Sequence, residues 1–424
     1  MSHGPELHVK ALDIAVVGGS IAGCSAAIML ARAGHNVHVY ERSRGGLIGR
    51  GGGIGTPVPL LVELMEHDLV GRDFPYLACS SMPFVVRTPL EPTYGFVPWE
   101  MPSHFAMFHW TSLWNALRSR VSNDHYHRGA GVVSAAENAS DRIDLTFEDG
   151  ANADADLVVW ADGYQSLGRS LMFPEVDLRY RGYMLWRGLL PEREMDHGDI
   201  LGSTVPRLSF PTMPGNLVAY FVPGADGSSQ PGERLVNWAS YIPLPEDELD
   251  SFMVDRTGAL RVGTIPPGEL RPDQEQRLKV LMAGELPDAF AAIVNKTENT
   301  YLQLIYTIRA PSYHLGRMCL IGDAGTVAQP HTGSGVFKGY HNVSSLLDSL
   351  DRHDDLDVAL EAWGSTQVEL GDRLLALGEQ TEQAFIWNPL DLSTADAAST
   401  EAWWRNAVEF PEGFSFEPTA DPNE

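Results

Sequence analysis

The sequence predicts an α/β fold: a Rossmann-like nucleotide-binding domain, interrupted by an inserted antiparallel β-sheet and completed by C-terminal helices. Three observations carry that prediction. An unbroken apolar run, Ile14-Ala-Val-Val17, leads into a glycine turn, Gly18-Gly19-Ser20-Ile21-Ala22-Gly23, and a second strand then ends in Glu41-Arg42. Far along the chain, Met318-Cys-Leu-Ile-Gly-Asp323 again runs a buried strand into a turn, with Pro330 and a glycine-bracketed helix start, Gly333-Ser-Gly335, beyond it. Between the two, residues 180–310 alternate apolar and polar with the period of a strand.

The first strand, 12–18, lacks alternation, as expected of a strand buried on both faces of a parallel sheet. Residues 20–33 repeat apolar groups at helical spacing and stop at Gly34, and Val37-His-Val-Tyr40 completes a βαβ unit. A glycine-rich loop at 45–55, a helix from Pro57 to His67 and a helix over 104–120 are expected next. Strands follow at 142–148 and 156–160, the latter ending in Ala161-Asp162-Gly163. Tyr183-Met-Leu-Trp-Arg187, Leu217–Val222 and Leu235–Ile242 alternate around turns such as Pro214-Gly-Asn, which predicts an antiparallel sheet. Helices near 247–255 and 270–283 follow it, and long helices at 335–350 and 355–380 follow the Gly322-Asp323 strand. The last stretch carries Trp387, Trp403, Trp404, Phe410, Phe414 and Phe416, too aromatic for a free tail, so it is expected to pack on the body or on a second subunit of a homodimer. The corresponding division is 1–80, 104–180 and 311–380 for the nucleotide-binding domain, 81–103 and 181–310 for the inserted sheet, and 381–424 for the extension.

At 424 residues, 44 % apolar and with ten tryptophans, the chain is globular and long enough for one large core or two modest ones. A net charge of −26 argues against nucleic acid and against an anionic membrane surface as partners. Cys24, Cys79 and Cys319 are far apart and form no C-x-x-C pair, so neither a disulfide framework nor zinc is expected, and a reducing cytoplasm fits. The glycine turn splits the apolar stretch 14–31 into a strand and a helix, each too short to span a membrane, and no targeting sequence is visible. The pairs His125/His127 and His104/His109 come without a set of acidic or cysteine ligands to complete a metal site, so no metal is expected.

The chemistry of the two glycine-bearing turns points to one dinucleotide. Gly18 permits the tight turn, Ser20 is small enough to let backbone approach a diphosphate, and Gly23 lets helix and strand pack closely. The helix start then offers unpaired N–H groups to the diphosphate, with Glu41 placed to accept from ribose hydroxyls. That turn alone would serve NAD, NADP or FAD. Asp323 ends a buried strand, where an unpaired carboxylate is costly, and a flavin ribityl hydroxyl supplies a partner. A helix opening at Gly333 and Gly335 can aim its positive end at the pyrimidine edge of the ring, which gains negative charge on reduction. The two ends of the chain together therefore indicate FAD.

The Gly18 turn, Asp162-Gly163 and Gly322-Asp323 with Pro330, in that order and spacing, resemble the single-component flavin-dependent aromatic hydroxylases, the p-hydroxybenzoate hydroxylase-like monooxygenases, over roughly residues 12–375. Tyr180-Arg-Gly-Tyr-Met-Leu-Trp-Arg-Gly188 and Pro330-His-Thr-Gly-Ser-Gly-Val-Phe-Lys338 are similar to the 2,6-dihydroxypyridine 3-hydroxylase branch. Ser20, Thr326, Ser334 and Trp110 depart from the wider family pattern at a glycine, a histidine, a glutamine and an arginine, and the branch shares several of these changes. The resemblance implies the p-hydroxybenzoate hydroxylase fold and an FAD site built from Gly18, Ser20, Ile21, Ala22, Gly23, Glu41 and Arg42. Gly53, Ile54, Val133 and Asp162 would add to it, with Asp323, Pro330, Gly333, Gly335 and Val336 at the flavin end. It further implies that NADH or NADPH, bound transiently, reduces the flavin, and that O2 then gives a C4a-hydroperoxide that hydroxylates an electron-rich ring such as a hydroxypyridine or quinolone. The protein must favour ionisation of the substrate's ring hydroxyl and keep water out.

For that substrate work His331 and Tyr220 are the catalytic candidates, and Thr56, Trp186, Phe210 and Tyr241 are candidate pocket walls. Two other readings compete. Trp238-Ala-Ser-Tyr-Ile-Pro243 faintly echoes a segment of flavin halogenases, but no lysine lies between Lys10 and Lys279 to relay hypohalous acid. A flavin-binding protein without turnover is the third.

Overall fold

The structure, a computed structural model, describes residues 11–47, 51–198 and 200–408. The nucleotide-binding sheet has six strands. Asp13–Val17 lies at its centre, parallel to Asn36–Glu41 on one side and to Leu157–Trp160 on the other. Met318–Leu320 adds in parallel beyond Leu157–Trp160, with register Val158 to Met318, which brings the Gly322-Asp323 turn beside the Gly18 turn. Both turns therefore leave the carboxyl ends of parallel strands that flank Leu157–Trp160, where open α/β sheets bind ligands. Ile14, Val16, Val158, Val159 and Trp160 are at most 2 % exposed, which explains the absence of alternation.

The helix Ile21–Arg32 crosses the distal helix Gly335–Arg352 at close range. A Cβ on Gly339 would lie 2.7 Å from the Ala22 Cβ, and one on Gly322 would lie 3.2 Å from it. Small residues at that crossing let the two helix starts converge. The helix Leu356–Glu382 packs behind, its N-terminus capped by Asp355 through the amides of Asp357 and Val358.

The second sheet has ten strands and draws on more of the chain than 81–103 and 181–310. Gly53–Pro57, Leu77–Val86 and Phe96–His109 all join it, with Arg179–Pro191, Asn216–Val222, Leu235–Pro243 and Tyr301–Arg309 as its antiparallel centre. The expected helix over 104–120 begins only at Trp110 and ends at Arg118. Residues 105–109 stay extended because they pair on both sides, with Gly53–Pro57 and with Leu77–Cys79. Pairing across two neighbours outweighs the local helical spacing.

The C-terminal extension packs on the body. Phe385, Ile386 and Trp404 are buried in one cluster with Phe84, Tyr183, Tyr220 and Tyr241. Phe410, Phe414 and Phe416 lie outside the described residues. Among the described residues no helix is long and apolar enough to cross a membrane.

Candidate functional site

A cleft runs between the two sheets in two chambers. The proximal one, about 280 Å³, is lined by Gly18, Glu41, Arg42, Val132 and Asp162, and the distal one, about 450 Å³, by Ala22, Asp323, Pro330, Tyr220 and Tyr241. Ser20, Trp110, Ala161 and Gly163 line both, so the chambers are continuous.

At the proximal end Gly18 has φ +102°, and a Cβ there would lie 2.5 Å from the Ala161 carbonyl oxygen. A Cβ on Gly23 would lie 1.8 Å from the Gly18 oxygen, so this glycine serves packing and stands behind the cleft wall. Ser20 precedes the helix without capping it, and no acidic residue occupies the first turn. The helix's first amides are thus left for an anion. Glu41 is buried, its Oε2 accepting from the Gly19 amide and its Oε1 from the Ser43 amide, both at 2.8 Å. Asp162 turns its Oδ2 to the Leu167 amide at 2.7 Å, while its buried Oδ1 has no partner. Burial raises the pKa of this carboxyl despite those hydrogen bonds.

At the distal end Gly322-Asp323-Ala324 forms a tight turn, and the Gly322 amide donates to Asn342 Oδ1 at 2.8 Å. Pro330–Thr332 forms a second turn closed by Gly333 at φ +61°. Ser334 then precedes the Gly335 helix without capping it. Opposite, the second sheet presents Leu185, Arg187, Val218, Tyr220, Ala239 and Tyr241.

Strand alternation decides which expected wall residues reach this space. Trp186 lies between Leu185 and Arg187 and therefore points to the opposite face, against Trp238 in the apolar core. Phe210 belongs to that core as well, beneath Gly215. Thr56 is 1 % exposed on its strand and does not line the cleft, where Gly53, Ile54 and Gly55 do. Val133 faces solvent at 48 % exposure, and its neighbour Val132 lines the proximal chamber instead. His331 sits one ring behind the wall, 4.3 Å from the Tyr241 ring and 5.7 Å from that of Phe385. Its Nε2 is 3.4 Å from the Tyr183 hydroxyl, and burial, aided by nearby Arg207, pushes its pKa well below the usual imidazole value. Among the described residues no group of histidine, cysteine, aspartate and glutamate is placed to hold a metal.

Comparison with known proteins agrees with this geometry. A model for NAD(P)-binding Rossmann-like domains matches residues 16–50, and one for FAD binding domain-like sequences matches 180–307. The 2,6-dihydroxypyridine 3-monooxygenase of Paenarthrobacter nicotinovorans is 30 % identical over 85 % of this chain and 88 % of its own. The chain belongs to the flavin-dependent aromatic monooxygenases. The solved 2,6-dihydroxypyridine-3-hydroxylase from Arthrobacter nicotinovorans superposes with a TM-score of 0.83 at 25 % identity, covering 97 % of this chain and all of that one. The 3-amino-4-hydroxybenzoate 2-monooxygenase of Streptomyces cremeus is 27 % identical over 80 % of this chain and 79 % of its own.

FAD is the cofactor of this monooxygenase, with NAD(P)H and O2 as co-substrates, and the cleft fits the dinucleotide. Its two chambers join end to end, each has an uncapped helix start, and the orphaned Oδ1 of Asp162 and Nε of Arg187 belong to residues of its wall.

Arg187 was not among the residues singled out in the sequence. Its Nη2 donates to the Gly53 carbonyl at 3.1 Å, and its guanidinium lies 5.7 Å from the Tyr301 ring. Burial opposes its charge, but the phenol oxygens of Tyr301, Tyr220 and Tyr241 favour it, and its pKa is raised on balance. The available signal was a charged residue between two apolar stretches of its strand, Tyr183-Met-Leu-Trp186 and Gly188-Leu-Leu190. Lys338 was also passed over: it lines the cleft although its side chain is only 2 % exposed.

Proposed function

We propose that this monooxygenase hydroxylates a small, electron-rich, hydroxylated N-heteroaromatic or aromatic ring, of the hydroxypyridine or quinolone kind. The observation that carries this reading is the distal chamber. It is a space of about 450 Å³ with apolar walls at Leu185, Val218 and Ile305, and a few convergent polar groups at Arg187, Tyr220 and Tyr241. The similarity to 2,6-dihydroxypyridine 3-monooxygenase supports the same class.

When bound, FAD supplies electron transfer from NAD(P)H to O2 and an electrophilic oxygen. In this reading the Gly18 turn, Ser20, Ile21, Ala22, Glu41 and Arg42 hold its nucleotide end. Gly53, Ile54, Asp323, Pro330, Gly333, Gly335 and Val336 hold the flavin end. Arg187 favours the ionised form of the substrate's ring hydroxyl, because a cation in a low-dielectric wall stabilises a neighbouring anion and so raises the electron density of the ring. Asp323 is the only carboxylate lining the distal chamber among the described residues. Electrostatic activation by Arg187 therefore takes the place of a carboxylate base. Tyr220 orients the ring through its hydroxyl, whose ionisation is disfavoured first by burial. Tyr241 forms the back wall and His331 supports it from behind. The six-strand sheet with its helices acts as the FAD domain and the ten-strand sheet as the substrate domain, and the three buried free cysteines suit a reducing cytoplasm.

The test is NAD(P)H consumption by the FAD-loaded protein with hydroxypyridines, hydroxyquinolines and phenols, read together with mass spectrometry. Stimulated consumption and a product heavier by one oxygen are expected from the N-heteroaromatic set. No stimulation by any of these rings would overturn the reading.

A further inference from the structure

Lys338 is an unusual residue for its position. It stands one turn into the helix Gly335–Arg352 in a chain with a net charge of −26 whose other lysines are Lys10, Lys279 and Lys296. Its side chain is 2 % exposed, so its ammonium must find partners inside the protein. It finds two, both on the segment that follows the Met318–Leu320 strand: Asp323 Oδ1 at 2.7 Å, and the Thr326 carbonyl. Asp323, by contrast, keeps its side chain 49 % exposed toward the cleft, with only one oxygen engaged by the amine. The ammonium thus ties the helix to both ends of the 323–326 turn and engages only Oδ1 of a half-exposed carboxylate that lines the cleft.

The surroundings reinforce that geometry. Tyr313 donates to Thr326 Oγ1 at 2.7 Å and Arg169 donates to the Ala324 carbonyl at 2.9 Å, so three side chains, with Lys338, hold the turn. Lys338 and Ser334 also line a second cavity, an outer groove of about 740 Å³ between the Gly335 helix and Leu356–Glu382. The lysine stem is therefore part of the partition between that groove and the flavin cleft.

We propose that Lys338 is a positioning residue for FAD: its ammonium fixes the Asp323 carboxylate so that the free oxygen meets the cofactor's ribityl chain. The inference rests on the assignment of the cleft to FAD. Lys338 and Asp323 act as one unit, since without the amine the carboxylate loses its charge-assisted anchor and can swing or turn inward. Residues that act as a unit are non-additive when both are removed.

The experiment measures FAD affinity by titrating apoprotein and following flavin fluorescence, for the wild type, Lys338→Met, Asp323→Asn and the double variant. Lys338→Met is expected to weaken FAD binding about tenfold or more, and the double variant to bind within about threefold of Asp323→Asn alone. Binding by Lys338→Met within a factor of two of wild type would overturn the proposal. So would a double variant whose loss is the product of the two single losses, which is the pattern of a lysine with a merely structural role. Should Lys338→Met fail to fold by circular dichroism, Lys338→Gln replaces it in the same cycle, because its neutral amide can keep a hydrogen bond to the Thr326 carbonyl but carries no charge to anchor Asp323. A wild-type apoprotein that takes up no FAD would instead refute the assignment of the cleft, which separates the two claims.

Discussion

Gln329 Nε2 donates to Glu382 Oε2 at 2.7 Å, tying the residue before Pro330 to the last turn of the longest helix. The same carboxylate takes Arg181 Nε at 2.9 Å and Nη2 at 3.0 Å, and its Oε1 also accepts from Trp387 Nε1 at 3.0 Å. Glu382 is 2 % exposed and Arg181 11 % on their side chains, so this ion pair is shielded from solvent. One buried carboxylate thereby joins the Pro330 loop, the strand Arg179–Pro191 and the C-terminal extension.

Glu382→Ala leaves the Arg181 guanidinium with only the more exposed Glu379 carboxylate, 3.3 Å from its Nη1. The loss should therefore fall at or below the low end of the cost of removing one member of a buried pair, about 3–5 kcal/mol. Gln329→Ala removes one hydrogen bond to a charged acceptor and should cost about 1.5–3 kcal/mol. Urea unfolding of the apoprotein reads both. FAD affinity should fall in each variant because the loop loses its tether, and unchanged affinity in both would show that the loop is placed by other contacts.

Glu41→Ala is expected to act at the other end of the cleft. It orphans the amides of Gly19 and Ser43, whose only acceptors given by the structure are the two carboxylate oxygens. Gly19 has no room to relax, since a Cβ there would lie 2.1 Å from the Tyr126 hydroxyl. Two lost charge-assisted bonds amount to about 3–6 kcal/mol of stability at most. Urea unfolding checks that figure, and weaker FAD binding than in the wild type should accompany it.

The parts of this protein that the sequence displayed are those where backbone geometry forces residue choice. The Gly18 turn, Glu41, Asp323 and the Pro330–Gly335 loop all face the cleft, because glycine spacing and strand ends admit few alternatives. The substrate wall was less legible. Tyr220 and Tyr241 reach it while Trp186 and Phe210 do not, and that difference depends on which strand face is turned inward. Arg187, Lys338 and the Glu382 network depend on contacts between residues far apart in the chain, such as Arg181 with Glu382, which no local pattern announces. The helical spacing over 104–120 misleads for the same reason, since residues 105–109 belong to the strand Phe96–His109, whose pairing partners lie elsewhere in sequence.

Buried histidines should make stability fall on acidification. Desolvation lowers the pKa of His331 well below 6.5, and His35, His38, His109, His127, His314 and His341 are lowered as well, each by burial first. Each therefore stays neutral in the fold at a pH where the unfolded chain has taken up a proton. Stability is full above about pH 6.5, the ordinary unfolded value, and declines as pH drops toward the folded values. The decline is up to about 1.4 kcal/mol per pH unit for a buried histidine such as His331 and less for the partly exposed ones, where solvent screens the effect. His331→Gln cannot titrate. It is expected to be less stable than wild type at pH 7.5 but to lose less on moving to pH 5.5, as read from urea midpoints. An equal loss in both proteins would mean that His331 takes up its proton in the fold at the same pH as in the unfolded chain.

Replacing Arg187 separates the work of the sheet from that of the cofactor domain. Its guanidinium lies in the wall of the distal chamber with Nε unpartnered, held by the Gly53 carbonyl and flanked by Tyr220, Tyr241 and Tyr301. Arg187→Met keeps much of the apolar stem and removes the charge. If the cation stabilises an ionised ring hydroxyl, kcat/KM for a hydroxypyridine should drop about a hundredfold, equivalent to about 2.7 kcal/mol of lost stabilisation. FAD affinity should fall much less than kcat/KM, because the Gly18 and Asp323 turns are untouched and only the hydrogen bond to the Gly53 carbonyl is lost. The pH profile decides between this role and simple packing. Without the cation the substrate must ionise with its own pKa, so activity of the variant should climb steeply with pH toward that value, while the wild type stays flatter over the same range. A variant with reduced activity but the wild-type profile would assign Arg187 to holding the Gly53 loop alone.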